Sequence, residues 1–99
     1  MNIENRVLNI INERDHMLAK LNFLFNDQGI QIKRSEGNFL LLQIPDDRKF
    51  ISVLNALGTE GIQVLNTSNL KMLDNSIRVT VGKTKENNSF INCIKNALT

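Results

Sequence analysis

The chain predicts an α+β fold: a small mixed or antiparallel sheet with helices packed mainly on one face, in the order α-β-β-α-β-β-α. Three observations carry this. Apolar residues recur at spacings of three and four along the first quarter and again in two later stretches, as amphipathic helices require. Between those stretches lie short runs that alternate with period two or are continuously apolar, as strands do. Glycines and the single proline fall at the joints. Residues 1–99 are expected to form a single domain, because 99 residues with a hydrophobic fraction of 41% suffice for one core that buries roughly 60 to 65% of the unfolded surface.

The first helix is read from Ile3, Val7, Ile10, Met17, Leu21 and Leu24, a series that skips only Arg14, with Leu8, Ile11, Leu18 and Phe25 widening the stripe. Asn26-Asp27-Gln28-Gly29 interrupts it, and Gly29 suits a left-handed turn that releases the chain into a strand at Ile30-Gln31-Ile32. The polar stretch from Lys33 to Asn38 reads as a turn. A nearly all-apolar strand follows, Phe39-Leu40-Leu41-Leu42-Gln43-Ile44, which suits a central strand, or one covered by helices on one face and by another domain on the other. Pro45 ends it, and Asp46 or Asp47 caps a helix carrying Phe50, Ile51, Val53, Leu54 and Leu57. Gly61 closes that helix. Ile62-Gln63-Val64-Leu65 then reads as a short strand and residues 66–75 as a loop.

The strand Ser76-Ile77-Arg78-Val79-Thr80-Val81-Gly82 is the most informative stretch. Period two sends Ile77, Val79 and Val81 to one face and the Arg78 guanidinium to the other. Two readings of Arg78 stay open: it reaches water across an exposed sheet face, or it offers a planar two-pronged donor to a carboxylate or phosphate in a cleft. Thr84 as N-cap and Glu86 in the first turn start a final helix with Phe90, Ile91, Ile94 and Leu98 on one side.

Composition narrows the function classes. No apolar run approaches the roughly 18 residues of a membrane span, and Met1-Asn2-Ile3-Glu4 does not read as a signal peptide, so a soluble cytoplasmic protein is expected. A net charge of +2 with mixed signs and the absence of tyrosine and tryptophan disfavour nucleic acid as a partner. Cys93, the single cysteine, reads as a buried filler. His16, beside Arg14 and Asp15, reads as part of a solvated helix face, and His16 and Cys93 alone do not make a metal site or a nucleophile–base pair. Gly58 and Gly61 are helix-terminus glycines, not a phosphate loop. Lys33-Arg34 and Lys83 with Lys85 read as solvated turns. Asn38 either fixes the turn before the apolar strand or touches a ligand, and the turn is the favoured reading. No catalytic, cofactor-binding or metal-ligating residue is expected in the chain.

The ordered set Ser35-Glu36-Gly37-Asn38-Phe39-Leu40-Leu41, Gly61-Ile62-Gln63-Val64 and Ser76 to Gly82 with Glu86-Asn87 behind it resembles the C-terminal small domain of histidinol-phosphate aminotransferases. Ile10, Glu13-Arg14-Asp15 and Leu18 are similar to that family's helix leading into the small domain, so the likeness covers nearly the whole chain. The resemblance implies the small domain of the aspartate-aminotransferase fold, part of a pyridoxal-phosphate enzyme of amino-acid biosynthesis, histidine biosynthesis in the family's namesake. It implies a larger domain, outside this chain, that supplies the Schiff-base lysine, the phosphate-binding groups and the aspartate paired with the pyridine nitrogen. The complete enzyme would be a homodimer acting on a phosphorylated or carboxylated amino acid, and this chain alone would have no transaminase activity and bind no cofactor.

Carried over by position, Arg78 falls on the family's strand arginine, which binds the acidic group of the substrate, and Asn38 on its asparagine before an aromatic. The chain departs from the pattern after Gly61-Ile62, where the family often has a second arginine and this sequence has Leu65-Asn66. It departs also before the serine, with Arg34 in place of a common proline. The first departure puts histidinol phosphate itself in question as substrate and leaves related enzymes, including threonine-phosphate decarboxylases, in view. The alternative reading is a stand-alone small-molecule-binding, regulatory or dimerisation module. A purely structural interaction domain is a third, resting on the apolar first helix and the apolar strand.

Overall fold

In the computed structural model, residues 3–35, 37–68 and 74–98 are described, with side chains of the first helix from residue 11 onward. The elements run α1 (Ile3–Phe25), β1 (Gln31–Arg34), β2 (Phe39–Gln43), α2 (Asp47–Thr59), β3 (Leu65–Asn66), β4 (Ser76–Thr80) and α3 (Thr84–Ala97). The expected order holds. The sheet is antiparallel throughout, in the spatial order β1-β2-β4-β3.

Met17, Leu21 and Phe25 of α1 are buried, with Leu18 and Leu24 partly so, while Ile11 is exposed rather than part of the stripe. Ile3, Val7, Leu8 and Ile10 have side chains outside the described residues. Arg14, which interrupts the apolar series, turns toward the sheet: its Nη1 donates to the Gly37 carbonyl at 3.0 Å. A single 3₁₀ turn, Asn26–Gln28, ends α1, and Gly29 at φ 73° adopts the left-handed conformation that a side chain disfavours. Asp46 caps α2 by accepting from the Lys49 N–H at 3.0 Å, and Asp47 accepts from Asn75 Nδ2 at 2.7 Å.

Four expectations need correction. Lys33-Arg34 belongs to β1 and not to a turn, because Lys33 pairs with Leu41 and Arg34 with Leu40, and the Arg34 guanidinium reaches Asp15 of α1 at 3.0 Å. The third strand is Leu65–Asn66 alone, not 62–65. The Ile62 N–H is taken by the Leu57 carbonyl at 2.9 Å in the turn that ends α2, where Gly61 has φ 71°, so the chain meets β4 only from Leu65. Ile51 is exposed on the outer side of α2. Finally, Lys83 and not Thr84 occupies the N-cap of α3. The exposed amides there are met from further along, Lys83 N–H by Glu86 Oε1 at 3.3 Å and Gly82 N–H by Asn87 Oδ1 at 2.8 Å. The loop expected at 66–75 is described only outside 69–73, and at its two ends Thr67 and Ser76 are tied by hydroxyls 2.6 Å apart.

The three helices cover one face. Leu40, Leu42 and Ile77 on that face are fully buried, Val79 and Ile32 nearly so, and they meet Phe50, Val53 and Leu57 of α2 and Phe90, Ile91 and Ile94 of α3 in one core. Burial of this apolar surface at about 25 cal/mol per Å² is the main favourable term, and register follows from it: a slip of one residue would turn the whole set outward.

Candidate functional site

Residues paired directly across antiparallel strands lie on the same face, so the register assigns the uncovered face row by row. Lys33, Leu41, Arg78 and Leu65 form one row, from β1 through β2 and β4 to β3. Phe39 and Thr80 are paired in the next row. The helix-covered rows, Ile32-Leu42-Ile77 and Arg34-Leu40-Val79, alternate with these. Arg78 is therefore held at the middle of a central strand by neighbours whose own side chains point into the core.

The Arg78 guanidinium carbon stands 4.3 Å from the centroid of the Phe39 ring. A cation over an aromatic face gains a modest attraction. Among the described residues no carboxylate pairs with Arg78; the ion pairs there join Asp15 to Arg14 and to Arg34. The side chain is half-buried, between Leu41 and Leu65, and Leu65 is 49% exposed. A planar donor fixed on one face, flanked by apolar side chains and without an internal acid, can take a carboxylate or phosphate from outside.

Asn38 sits at the start of β2, where its backbone carbonyl accepts from the Val81 N–H at 2.7 Å and its Nδ2 donates to the Val81 carbonyl at 3.2 Å. These contacts tie the turn to the far end of β4, the turn role favoured from sequence, and commit one arm of the amide internally.

A polar knot that sequence reasoning did not assemble joins α1 to α3. Glu13 accepts from Thr84 Oγ1 at 2.5 Å and from Asn87 Nδ2 at 3.1 Å, and the same Nδ2 donates to the Gly82 carbonyl at 3.0 Å. Hydrogen bonds from Thr84 and then Asn87 hold the Glu13 carboxyl below its ordinary value, since they favour the charged form. Asn87 is buried, and its side chain serves both the carboxylate and the turn that ends β4. Its place behind Glu86 was legible; its reach to Glu13, 74 positions away, was not.

A hollow of about 580 Å³ lies between the end of α2 and the start of α3, lined by Glu60, Gln63, Thr80, Gly82, Glu86 and Phe90 among others. No lysine, arginine, histidine or cysteine lines it, so it does not complement an anion. Cys93 is buried, and that burial, with the charge of Glu60, raises its thiol pKa, which suits a packing residue and not a nucleophile. His16 is exposed on α1. Among the described residues no group of three His, Cys, Asp or Glu is arranged to hold a metal, and no helix is long and apolar enough to cross a membrane. The face around Arg78 is the candidate site.

Comparison with known proteins bears on what such a face serves. The family model "Aminotransferase class I and II" matches residues 1–94. A histidinol-phosphate aminotransferase of Hydrogenobaculum sp. is 35% identical over 94 residues, covering 95% of this chain and 25% of that protein. The protein of the same name from Caldanaerobacter subterraneus subsp. tengcongensis is 33% identical over 96 residues, covering 97% of this chain and 26% of its own length. That from Parabacteroides distasonis is 33% identical over 92 residues, covering 93% and 24%. The chain spans about a quarter of the length of the curated relatives it matches.

Proposed function

This chain belongs to the class I and II aminotransferase family, and from that premise we propose that it is the C-terminal small domain of a pyridoxal-phosphate-dependent aminotransferase similar to the histidinol-phosphate enzymes. In this reading it closes over an active site built mainly by a larger domain and holds the acidic group of the substrate through Arg78. The observation that carries the role is the state of that arginine: set on the uncovered face by the β4 register, steadied by Phe39, and given no carboxylate among the described residues.

A Schiff-base lysine is activated by burial or by a neighbouring cation, and among the described residues Lys20, Lys33, Lys83, Lys85 and Lys95 are exposed while Lys49 is turned to Gln28 at 3.4 Å. Pyridoxal phosphate, which the family implies, would be held by the rest of the longer protein. What this chain's residues do is bind and orient. The Arg78 fork offers two parallel N–H donors to a carboxylate, and closure of the domain would exclude water from that contact and so strengthen it. Asn38 keeps the β2 turn against Val81, at the end of the strand that carries Arg78, and is assigned a positioning role.

The test is steady-state kinetics of the complete polypeptide. Loss of two charge-assisted hydrogen bonds, about 1.5 kcal/mol or more each, corresponds to a fall of roughly 10²-fold in kcat/KM for Arg78→Ala. An unchanged kcat/KM in that variant would remove Arg78 from the substrate site.

A further inference from the structure

We infer that the hollow beside the end of β4 docks an extended segment of another polypeptide that carries a lysine or arginine, added as a short strand to the open edge of the sheet. The inference goes beyond the role proposed for Arg78 and does not use it.

The ladder on the β3 side of β4 stops early. β3 pairs with β4 only as Leu65 opposite Arg78 and Asn66 opposite Ile77, and the next two-residue step of such a ladder would set Gln63 opposite Thr80. That step is missing, because the Ile62 N–H is held by the Leu57 carbonyl at 2.9 Å and residues 62–64 lie outside the strand. Along a paired strand, successive residues turn their N–H and C=O to opposite sides. Val81 turns both to β2, its N–H donating to the Asn38 carbonyl at 2.7 Å and its carbonyl accepting from Asn38 Nδ2 at 3.2 Å. Thr80 and Gly82 therefore face the other way. Gly82 is met by one side chain, its N–H donating to Asn87 Oδ1 at 2.8 Å and its carbonyl accepting from Asn87 Nδ2 at 3.0 Å. The N–H and C=O of Thr80, between that plug and the Arg78 pair, have no partner among the described residues. An unpaired donor and acceptor on a strand edge is a template for a further strand.

Space for that strand lies beside the edge. The hollow of about 580 Å³ is lined by Gln63 and Thr80, the two residues that the missing pair would join. Val79 and Phe90 supply apolar lining that continues into the core, and Glu60 and Glu86 supply charge from the end of α2 and the first turn of α3. No cation lines the hollow, and among the described residues neither carboxylate is in an ion pair. A segment paired with Thr80 sends its adjacent side chain to the face on which Val79 lies, the helix-covered one. There a lysine or arginine lays its hydrocarbon stem on Val79 and Phe90 and carries its charge out to the glutamates. An acidic side chain in the same place meets only like charge.

The experiment is fluorescence anisotropy of the complete polypeptide at low ionic strength with three fluorescein-labelled hexapeptides. The first has the sequence TVTKTV, the second carries glutamate in place of its lysine, and the third has proline in place of the two threonines beside the lysine and so lacks their backbone donors. The first is expected to bind about tenfold tighter than either of the others. Glu60→Gln combined with Glu86→Gln, which keeps an acceptor for the Lys83 N–H, is expected to weaken it by about tenfold. Thr80→Pro removes an edge N–H that the ladder to β2 does not use, and a similar loss is expected there. Circular dichroism checks that this variant folds; if it does not, the proline peptide decides the backbone contact from the ligand's side. No saturable binding of TVTKTV, whatever else covers the edge, equal binding of the glutamate or the proline peptide, or an unchanged affinity in the double glutamine variant would each overturn the inference.

Discussion

The two faces of the sheet are made by alternate residues of the same strands, yet they answer to different demands. On the covered face Leu40, Leu42 and Ile77 have no exposure at all and belong to one apolar core. On the uncovered face the row Lys33-Leu41-Arg78-Leu65 is mixed, part-exposed and holds an arginine whose only described side-chain partner is an aromatic ring. The difference shows how a small domain can hold a guanidinium at a fixed place without an acid among the described residues to fix it. The inner residues determine the register, and the outer ones inherit their positions from it. Stability and ligand contact are therefore separable, residue by residue, along β4.

The sharpest way to break that separation is to truncate the covered face. Leu42→Ala removes a fully buried side chain between two central strands, and a cost of about 2 to 5 kcal/mol is expected from lost transfer energy and the cavity left behind. Urea unfolding monitored by circular dichroism measures it. A cost below about 1 kcal/mol would mean that the inner face does not set the register, and the account of how Arg78 is held would fall with it.

A smaller effect is expected at the knot between α1 and α3, which supports the same side of the sheet with polar contacts. Asn87→Ala leaves the Gly82 N–H and carbonyl without their side-chain partner and takes one donor from Glu13, for a loss of about 1 to 3 kcal/mol. It should also change the acid limb. Because Glu13 titrates below its ordinary value of 4.5 in the folded protein, its contribution is fully present above that value and is lost as pH falls from there through the lowered one. Thr84 remains as the larger cause, so the variant should show a reduced fall in stability between pH 5 and pH 3 rather than none. An undiminished fall in Asn87→Ala would show that the amide has no part in holding the carboxylate charged.

These sites differ also in how much of them the sequence discloses. The covered face is legible because burial selects residue type: Ile77, Val79 and Val81 could alternate with polar neighbours only if one side met a core. α2 and α3 are legible for the same reason at helical period. β3 is not, since Ile62 to Val64 have strand-like alternation while the Ile62 N–H is still engaged by the turn after α2, and two paired residues leave no pattern. Lys33-Arg34 misleads because charge suggests a turn, whereas Asp15 on α1 supplies the partner that lets Arg34 stay in the strand. Ser76 reads as outward and polar, yet it is fully buried against Thr67, a contact made across the loop and invisible to local spacing. Arg78 was placed correctly on its strand and face by period two alone. What it stacks on, and that its row neighbours are Leu41 and Leu65, required the register, which local sequence does not specify.

The smallest effect, and the one that most sharpens the contrast, is expected at Arg78 itself. Arg78→Met removes the charge but keeps an unbranched stem to lie along Leu41 and the Phe39 ring. The lost cation–aromatic attraction is worth about 0.5 to 1 kcal/mol at a part-exposed site, and the sulfur of methionine against the ring recovers a comparable amount. The net change in unfolding free energy should thus lie within about 0.5 kcal/mol, at the edge of what denaturant titration resolves. A buried structural arginine would behave otherwise, because its removal would strand the acid it paired with, and no such acid is described here. If Arg78→Met cost as much as Leu42→Ala, the guanidinium would be part of the scaffold and the two faces would not be separable. If stability is kept while anion binding disappears, the outer side of β4 is a ligand surface carried by a strand whose inner side alone does the folding.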